Sequence, residues 1–210
     1  MMLPTEFIGA SDSKSRRLMI MLHGLGDSLE GYRWFPEAMR LPGMNYLLVN
    51  APNQYYDGWS WFDLENMAPG IKLSRRLIFD VIDEWVGKGF TADQITLGGF
   101  SQGCLMTIDV GLRYPQRFAG LVGISGWVFE PEKLVQELTP IGRSQRLICT
   151  HGPYDSLLPI DNTRAQLDLL EAAGVTVEWN EFPKAHTIHG EEELAVIREF
   201  VRAGYPDVGK

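Results

Sequence analysis

Three residue types that together carry out acyl transfer occur in one order along this chain. Ser101 lies between glycines in Gly99-Phe100-Ser101-Gln102-Gly103, Asp155 lies in His151-Gly152-Pro153-Tyr154-Asp155, and His186 lies in Lys184-Ala185-His186-Thr187-Ile188-His189. A free serine hydroxyl is a poor nucleophile near neutral pH and needs an adjacent base. An imidazole supplies that base, and a carboxylate holds its tautomer and stabilises the imidazolium that forms. The chemistry such a set performs is attack on a carboxylic ester or thioester through a covalent acyl-serine.

The serine motif gains its weight from context. Gln94 to Gly98 reads as a short apolar strand, and Cys104 to Arg113 reads as a helix that stops at Tyr114-Pro115. A serine between two glycines at a strand-to-helix turn is the pattern that pushes a hydroxyl into a site. One glycine lets the chain turn sharply, and the other lets the helix pack close to a neighbouring strand.

In hydrolases of this architecture the acid and then the histidine follow the serine. Asp155 comes just after a strand ending at His151-Gly152, whereas Asp161 and Asp168 fall at the cap or on the face of the next helix and read as capping and solvated residues. His186 follows the last strand and is preferred over His189, which abuts the final helix. His23 and His151 precede glycines and read as structural. A developing oxyanion needs two N–H donors. One is the backbone N–H of Gln102 at a helix N-terminus; the other comes from the loop His23-Gly24-Leu25-Gly26-Asp27, with Leu25 the choice.

The elements around these residues alternate. Leu18 to Leu22 is a continuous apolar run, typical of a strand buried on both faces. Strands are also predicted over Tyr46 to Val49, 95–99, Gly120 to Ile124, Arg146 to Thr150 and Val175 to Phe182, with an edge strand near Phe7. Helices are predicted over Gly31 to Arg40, Ile71 to Val86, Pro131 to Leu138, Thr163 to Ala173 and Glu191 to Arg202, and 53–70 reads as irregular and aromatic. This alternation predicts one α/β domain over 1–210, with a mainly parallel sheet, helices on both faces and no large lid. In such sheets the site forms beyond the carboxyl ends of the strands.

Composition narrows the partners. The chain has 210 residues, a net charge of −8, 45% apolar and 22% charged residues. An acidic balance disfavours nucleic acid and anionic membrane surfaces. No apolar run reaches the length of a membrane helix, and the N-terminus lacks the pattern of a secretory signal. Cys104 and Cys149 form no metal-like spacing and read as buried thiols, so neither a metal nor export is expected and the location is read as cytoplasmic. The expected partner is a small-molecule acyl ester, with a homodimer left open.

The segments Leu22-His23-Gly24-Leu25-Gly26-Asp27, Ser60-Trp61-Phe62-Asp63, Gly98-Gly99-Phe100-Ser101-Gln102-Gly103 and His151-Gly152-Pro153-Tyr154-Asp155 occur in that order. Together they resemble the phospholipase/carboxylesterase family of α/β-hydrolases, which contains the acyl-protein thioesterases. The resemblance runs from about Leu18 to the last helix. It implies an α/β-hydrolase fold and hydrolysis of esters and thioesters without a cofactor. It also implies a Ser101–His186–Asp155 triad with Leu25 and Gln102 at the oxyanion hole. Cys104, Ala185 and Pro153 depart from the residues usual at those places, and the segment from Pro52 to Ser60 is shorter than the one that shapes the thioesterases' acyl groove.

Tyr55, Tyr56, Trp59, Trp61, Phe62, Met67 and Trp127 lie near strand ends, and Trp59, Trp61, Phe62 and Trp127 are the expected acyl-binding residues. With no lid, an open site for short- to medium-chain acyl esters is expected. An amidase or lactonase on the same fold, or a non-enzymatic binder of small acyl ligands, are the alternatives; aryl esters against amides and a fluorophosphonate probe of Ser101 separate them. A histidine base predicts activity that falls as the pH drops through the ordinary imidazole range, roughly 6–7.

Overall fold

The computed structural model describes residues 2–205; Met1 and 206–210 of the expected 1–210 domain lie outside the described residues. Its centre is a seven-stranded sheet. The strands are β1 (Thr5–Ile8), β2 (Arg17–Leu22), β3 (Met44–Val49), β6 (Ile95–Phe100), β7 (Gly120–Ile124), β8 (Arg146–His151) and β9 (Thr176–Glu181), in the spatial order β1-β3-β2-β6-β7-β8-β9. Only β1 is antiparallel, pairing with β3 as the expected edge strand.

Apolar strand residues divide between two layers because successive side chains point to opposite faces. Leu18, Ile20 and Leu22 of β2 join the larger core beneath α2 (Met67–Gly87) and α3 (Gln102–Gly111). Met19 and Met21 join the second core with α1 (Phe35–Met39) and α7 (Glu191–Ala203). Burial on both faces is why β2 shows no alternation in sequence. The edge strand β9 is half exposed and alternates only in part.

The chain runs from β2 outward to β3, then returns to lay β6 on the other side of β2. The strand order therefore reverses between β2 and β6, and loops leaving their carboxyl ends diverge to open a crevice. Leu22 pairs with Gly99, so His23-Gly24-Leu25 emerges beside Phe100-Ser101.

The region expected to be irregular is more ordered than its sequence suggests. Asn53–Tyr55 and Gly58–Ser60 form a small hairpin, β4–β5, closed through Tyr56 at φ 51°. Three-residue strands are too short to show a period. Helix α2 begins at Met67 rather than Ile71, because Pro69 is tolerated in a first turn whose N–H groups have no helical partner. The helix expected over Gly31 to Arg40 is split into a 3-10 turn, Glu30–Tyr32, and α1. The helix expected from Thr163 begins at Ile160 (α6, Ile160–Ala172). Two shorter helices, α4 (Pro131–Glu137) and α5 (Pro140–Arg143), lie between β7 and β8; no large lid forms among the described residues.

Candidate active site

Ser101 sits between β6 and α3 with φ 55° and ψ −117°, a conformation that side-chain-bearing residues rarely adopt. The turn is held by the Ser101 N–H, which donates to Ile124 O at 2.9 Å, and by the two glycines. A Cβ at Gly99 would overlap the Gly103 carbonyl, and one at Gly103 would overlap the Leu22 carbonyl of β2. The glycines thus let α3 start against the sheet while the hydroxyl faces outward from a residue only 9% exposed.

Ser101, His186 and Asp155 come from three strand ends and meet. His186 Nε2 lies 2.8 Å from Ser101 Oγ, and His186 Nδ1 lies 2.6 Å from Asp155 Oδ2. The other Asp155 oxygen accepts the N–H groups of Leu157 at 3.0 Å and Leu158 at 2.9 Å. Burial pushes the Asp155 carboxyl up, but the His186 hydrogen bond and those N–H donors outweigh it and hold it below the ordinary carboxylate range. Asp155 is therefore ionised and aimed at one ring nitrogen, which leaves the other free to accept the serine proton. Phe100 packs on the His186 ring with centroids 5.0 Å apart.

The residues set aside in the sequence reading are placed elsewhere. His189 lies 3.5 Å from Glu192, Asp168 pairs with Arg164 at 2.7 Å, and Asp161 sits in the first turn of α6. His23 donates from Nδ1 to Gly24 O at 2.7 Å and accepts the Ala51 N–H at Nε2. His151 accepts the Gly152 N–H at Nδ1, and its Nε2 lies 3.9 Å from Asp155 Oδ2. Burial lowers the pKa of both rings, so they are neutral structural groups.

Leu25 and Gln102 flank the serine on the two diverging loops. Among the described residues nothing accepts from either backbone N–H, and Gln102 opens α3, whose dipole favours negative charge. The Gln102 side chain adds what the sequence reading missed. Its Oε1 accepts from Trp61 N at 3.0 Å and Ser60 Oγ at 3.2 Å, and its Nε2 donates to Phe62 O at 3.0 Å. Trp61 Nε1 in turn donates to His23 O at 2.8 Å, and Ser74 Oγ of α2 donates to Trp61 O. The Ser60-Trp61-Phe62-Asp63 segment is thereby tied to both loops that bracket Ser101.

A second missed feature lies behind the histidine. Lys184 and Glu193 form a buried ion pair, and the second Glu193 oxygen accepts the His189 N–H at 2.5 Å. Lys184 O accepts the Tyr154 N–H next to Asp155. The Asp155 loop, the His186 loop and α7 are thus joined at one place. Nothing in the sequence marks this pair, since Glu193 reads as one of three acids in a helix first turn.

An open cleft of about 760 Å³ lies between the β4–β5 hairpin and the start of α2, with Leu25 in its wall. Its walls include Leu25, Tyr55, Leu64 and Leu73, with Asn53, Asp63 and Glu65 among the polar residues around them. Phe62 backs this cleft although its side chain is fully buried. The expectation for Trp61 is corrected: it is fully buried core, because its indole N–H is committed to His23 O. Trp59 and Trp127 are half-buried against the larger core and do not border the cleft; Trp127 stands edge-on to Phe62. Cys104 and Cys149 are both buried thiols, with the Cys149 pKa raised first by its hydrogen bond to Cys104 and then by burial. Among the described residues no cluster of His, Cys, Asp or Glu is suited to a metal, and no helix is long and apolar enough to cross a membrane.

Comparison with known proteins accords with this geometry. Residues 3–204 match the family described as Phospholipase/Carboxylesterase. Acyl-protein thioesterase 1 of Gibberella zeae is 26% identical over 97% of this chain and 96% of its own. Acyl-protein thioesterase 1 of Schizosaccharomyces pombe is 30% identical over 67% of this chain and 69% of its own. Among solved structures, esterase PE8 superposes with a TM-score of 0.85 at 24% identity, covering 98% of this chain and 100% of its own. Zea mays acyl-protein thioesterase 2 superposes with a TM-score of 0.82 at 20% identity, covering 96% and 98%.

Proposed function

The chain belongs to the phospholipase/carboxylesterase family of serine hydrolases, enzymes that cleave esters or thioesters, and on that premise we propose that Ser101, His186 and Asp155 are its catalytic triad and that its substrates are short- to medium-chain acyl esters and thioesters. One observation carries the reading: a single imidazole bridges Ser101 Oγ and the Asp155 carboxylate at 2.8 and 2.6 Å. Ser101 Oγ attacks the carbonyl carbon as His186 Nε2 takes its proton, and Asp155 stabilises the imidazolium. The carbonyl oxygen, now negative, accepts from the Leu25 and Gln102 N–H groups; a donor of this kind contributes about 3–4 kcal/mol to the transition state. His186 then protonates the leaving oxygen or sulfur, and the acyl-serine forms. Water, deprotonated by His186, repeats the attack and releases the acid.

The acyl chain runs from Ser101 past Leu25 into the cleft bordered by Leu64 and Leu73. That cleft is open and interspersed with polar side chains, which supports chains that end within it over long ones. Chain lengths from acetate to palmitate, tested as esters and thioesters, measure this. Faster turnover of palmitate than butyrate would defeat the chain-length assignment, and a fluorophosphonate that fails to label Ser101 would defeat the triad.

A further inference from the structure

His186 borders a second hollow, separate from the acyl cleft, of about 280 Å³. Its side-chain walls are Asp27, Tyr32, Trp34, Phe100, Thr187 and Ile188 together with His186. The proton path says what belongs there. The proton that His186 Nε2 takes from Ser101 must be passed to the leaving atom, so that atom and its substituent depart on the histidine side. The acyl cleft has Leu25 in its wall and not His186. The small hollow is therefore where the leaving group extends.

Its chemistry is one-sided. Asp27 is exposed; one carboxylate oxygen accepts the Ser28 N–H at 2.7 Å, and the side chain is in no salt bridge among the described residues. Tyr32, Trp34 and Phe100 supply three aromatic rings. No lysine or arginine among the described residues lines the hollow, and Arg33, next in sequence, is turned away to Glu6 at 2.7 Å. A carboxylate beside aromatic faces attracts a cation and repels an anion. The overall charge of −8 adds long-range attraction of the same sign.

We propose that this hollow is a leaving-group subsite selective for cationic alcohols and thiols, those carrying an ammonium group a few bonds from the scissile oxygen or sulfur. The assignment rests on the esterase reading for its direction, since the acyl group is placed in the other cleft.

The test uses three thioesters with one acyl group: butyrylthiocholine, its neutral isostere S-(3,3-dimethylbutyl) thiobutyrate, and the anionic S-butyryl-3-mercaptopropionate. The expected kcat/KM is about tenfold higher for the cation than for the isostere, and lowest for the anion. In Asp27→Asn and in Trp34→Ala the cation-to-isostere ratio falls to about twofold or less, whatever happens to the isostere itself. A wild-type ratio of one or below overturns the subsite, as does a ratio that survives both substitutions. A chain that hydrolyses none of the three defeats the esterase reading instead. The subsite is then decided by tetramethylammonium titration followed by tryptophan fluorescence. Saturable binding that Asp27→Asn removes sustains it, and no binding overturns it.

Discussion

Two regions around the site are built on opposite principles. The turn at Ser101 is buried and over-determined: its backbone is strained, its glycines admit no Cβ, and its N–H is bonded to the next strand. The stretch from Asn53 to Asn66 lies mostly at the surface, with Tyr56 84% and Leu64 53% exposed. The first places one oxygen atom and leaves no freedom. The second shapes a wall and can change without touching the reacting atoms. Strain persists only where surrounding contacts hold it, and here the tight glycines and the bond from the Ser101 N–H to Ile124 O hold it. The exposed side chains of that wall, Tyr56 and Leu64 among them, gain little from packing, so little stability is lost when they change, whereas Trp61 and Phe62 of the same stretch are buried core.

The sharpest contrast comes from removing the reactive atoms. Ser101→Ala is expected to lower kcat by about 10⁴-fold or more, with the chain still folded by circular dichroism. Gly103→Val tests the other half of the claim, because it adds no charge and touches no substrate yet meets the Leu22 carbonyl; loss of soluble folded protein is the expected result. His186→Ala should cost about 10³-fold or more in kcat, whereas His189→Ala should leave it within about twofold, since that ring contacts Glu192 and Phe182 rather than Ser101. Equal losses at the two histidines would break the assignment of the base.

Gln102→Ala probes the bond between the two regions. It keeps the backbone N–H but strands Trp61 N, while Phe62 O keeps the Ser60 hydroxyl, at an expected cost of about 1–3 kcal/mol in urea unfolding. Unchanged stability would show that hairpin and turn are independent.

The buried histidines set a milder, pH-dependent effect. Unfolded, His23 and His151 take up protons near 6.5; folded, burial holds both rings neutral to lower pH. The unfolded chain then binds more protons, so stability is lost as the pH falls below about 6.5, until the folded rings protonate too. Asp155, whose folded pKa is depressed, adds a loss at lower pH, below the ordinary carboxylate range. Melting temperature measured from pH 8 to 5 should fall below 6.5, and less steeply in His151→Gln.

The smallest effect belongs to the exposed wall. Leu64→Ala and Leu73→Ala should shift stability by no more than about 0.5 kcal/mol while reducing the preference for hexanoate over acetate by a few-fold, in line with about 0.8 kcal/mol per buried methylene. A stability loss as large as that of Gln102→Ala would erase the distinction between wall and turn.

Much of the fold is legible because its signals are local. The apolar runs of β2, β3 and β8, the glycines around Ser101 and Pro131 at the start of α4 each report a backbone requirement met within a few residues. The order serine, acid, histidine is local in the same sense, since each residue follows its own strand. The aromatic residues are different. Trp59, Trp61, Phe62 and Trp127 carry the same apolar signal whether they line a cleft or fill a core, and only the indole bond to His23 O decides that Trp61 belongs to the core.

The sequence by itself determined the α/β alternation, the strand-to-helix turn at Ser101 and the strand ends from which Asp155 and His186 emerge, because turn chemistry and hydrophobic period act over short stretches of chain. The tertiary structure alone decided that three strand ends about 85 residues apart at the extremes converge on one imidazole. It also decided that the Gln102 side chain splices the hairpin to the turn, that Lys184 and Glu193 brace the histidine loop, and that a cleft walled by Leu25 lies apart from a smaller hollow bordered by Asp27, aromatic rings and His186. These contacts join residues far apart in the chain, and their distances are set by how helices and strands pack in space, which no local spacing of residue types encodes.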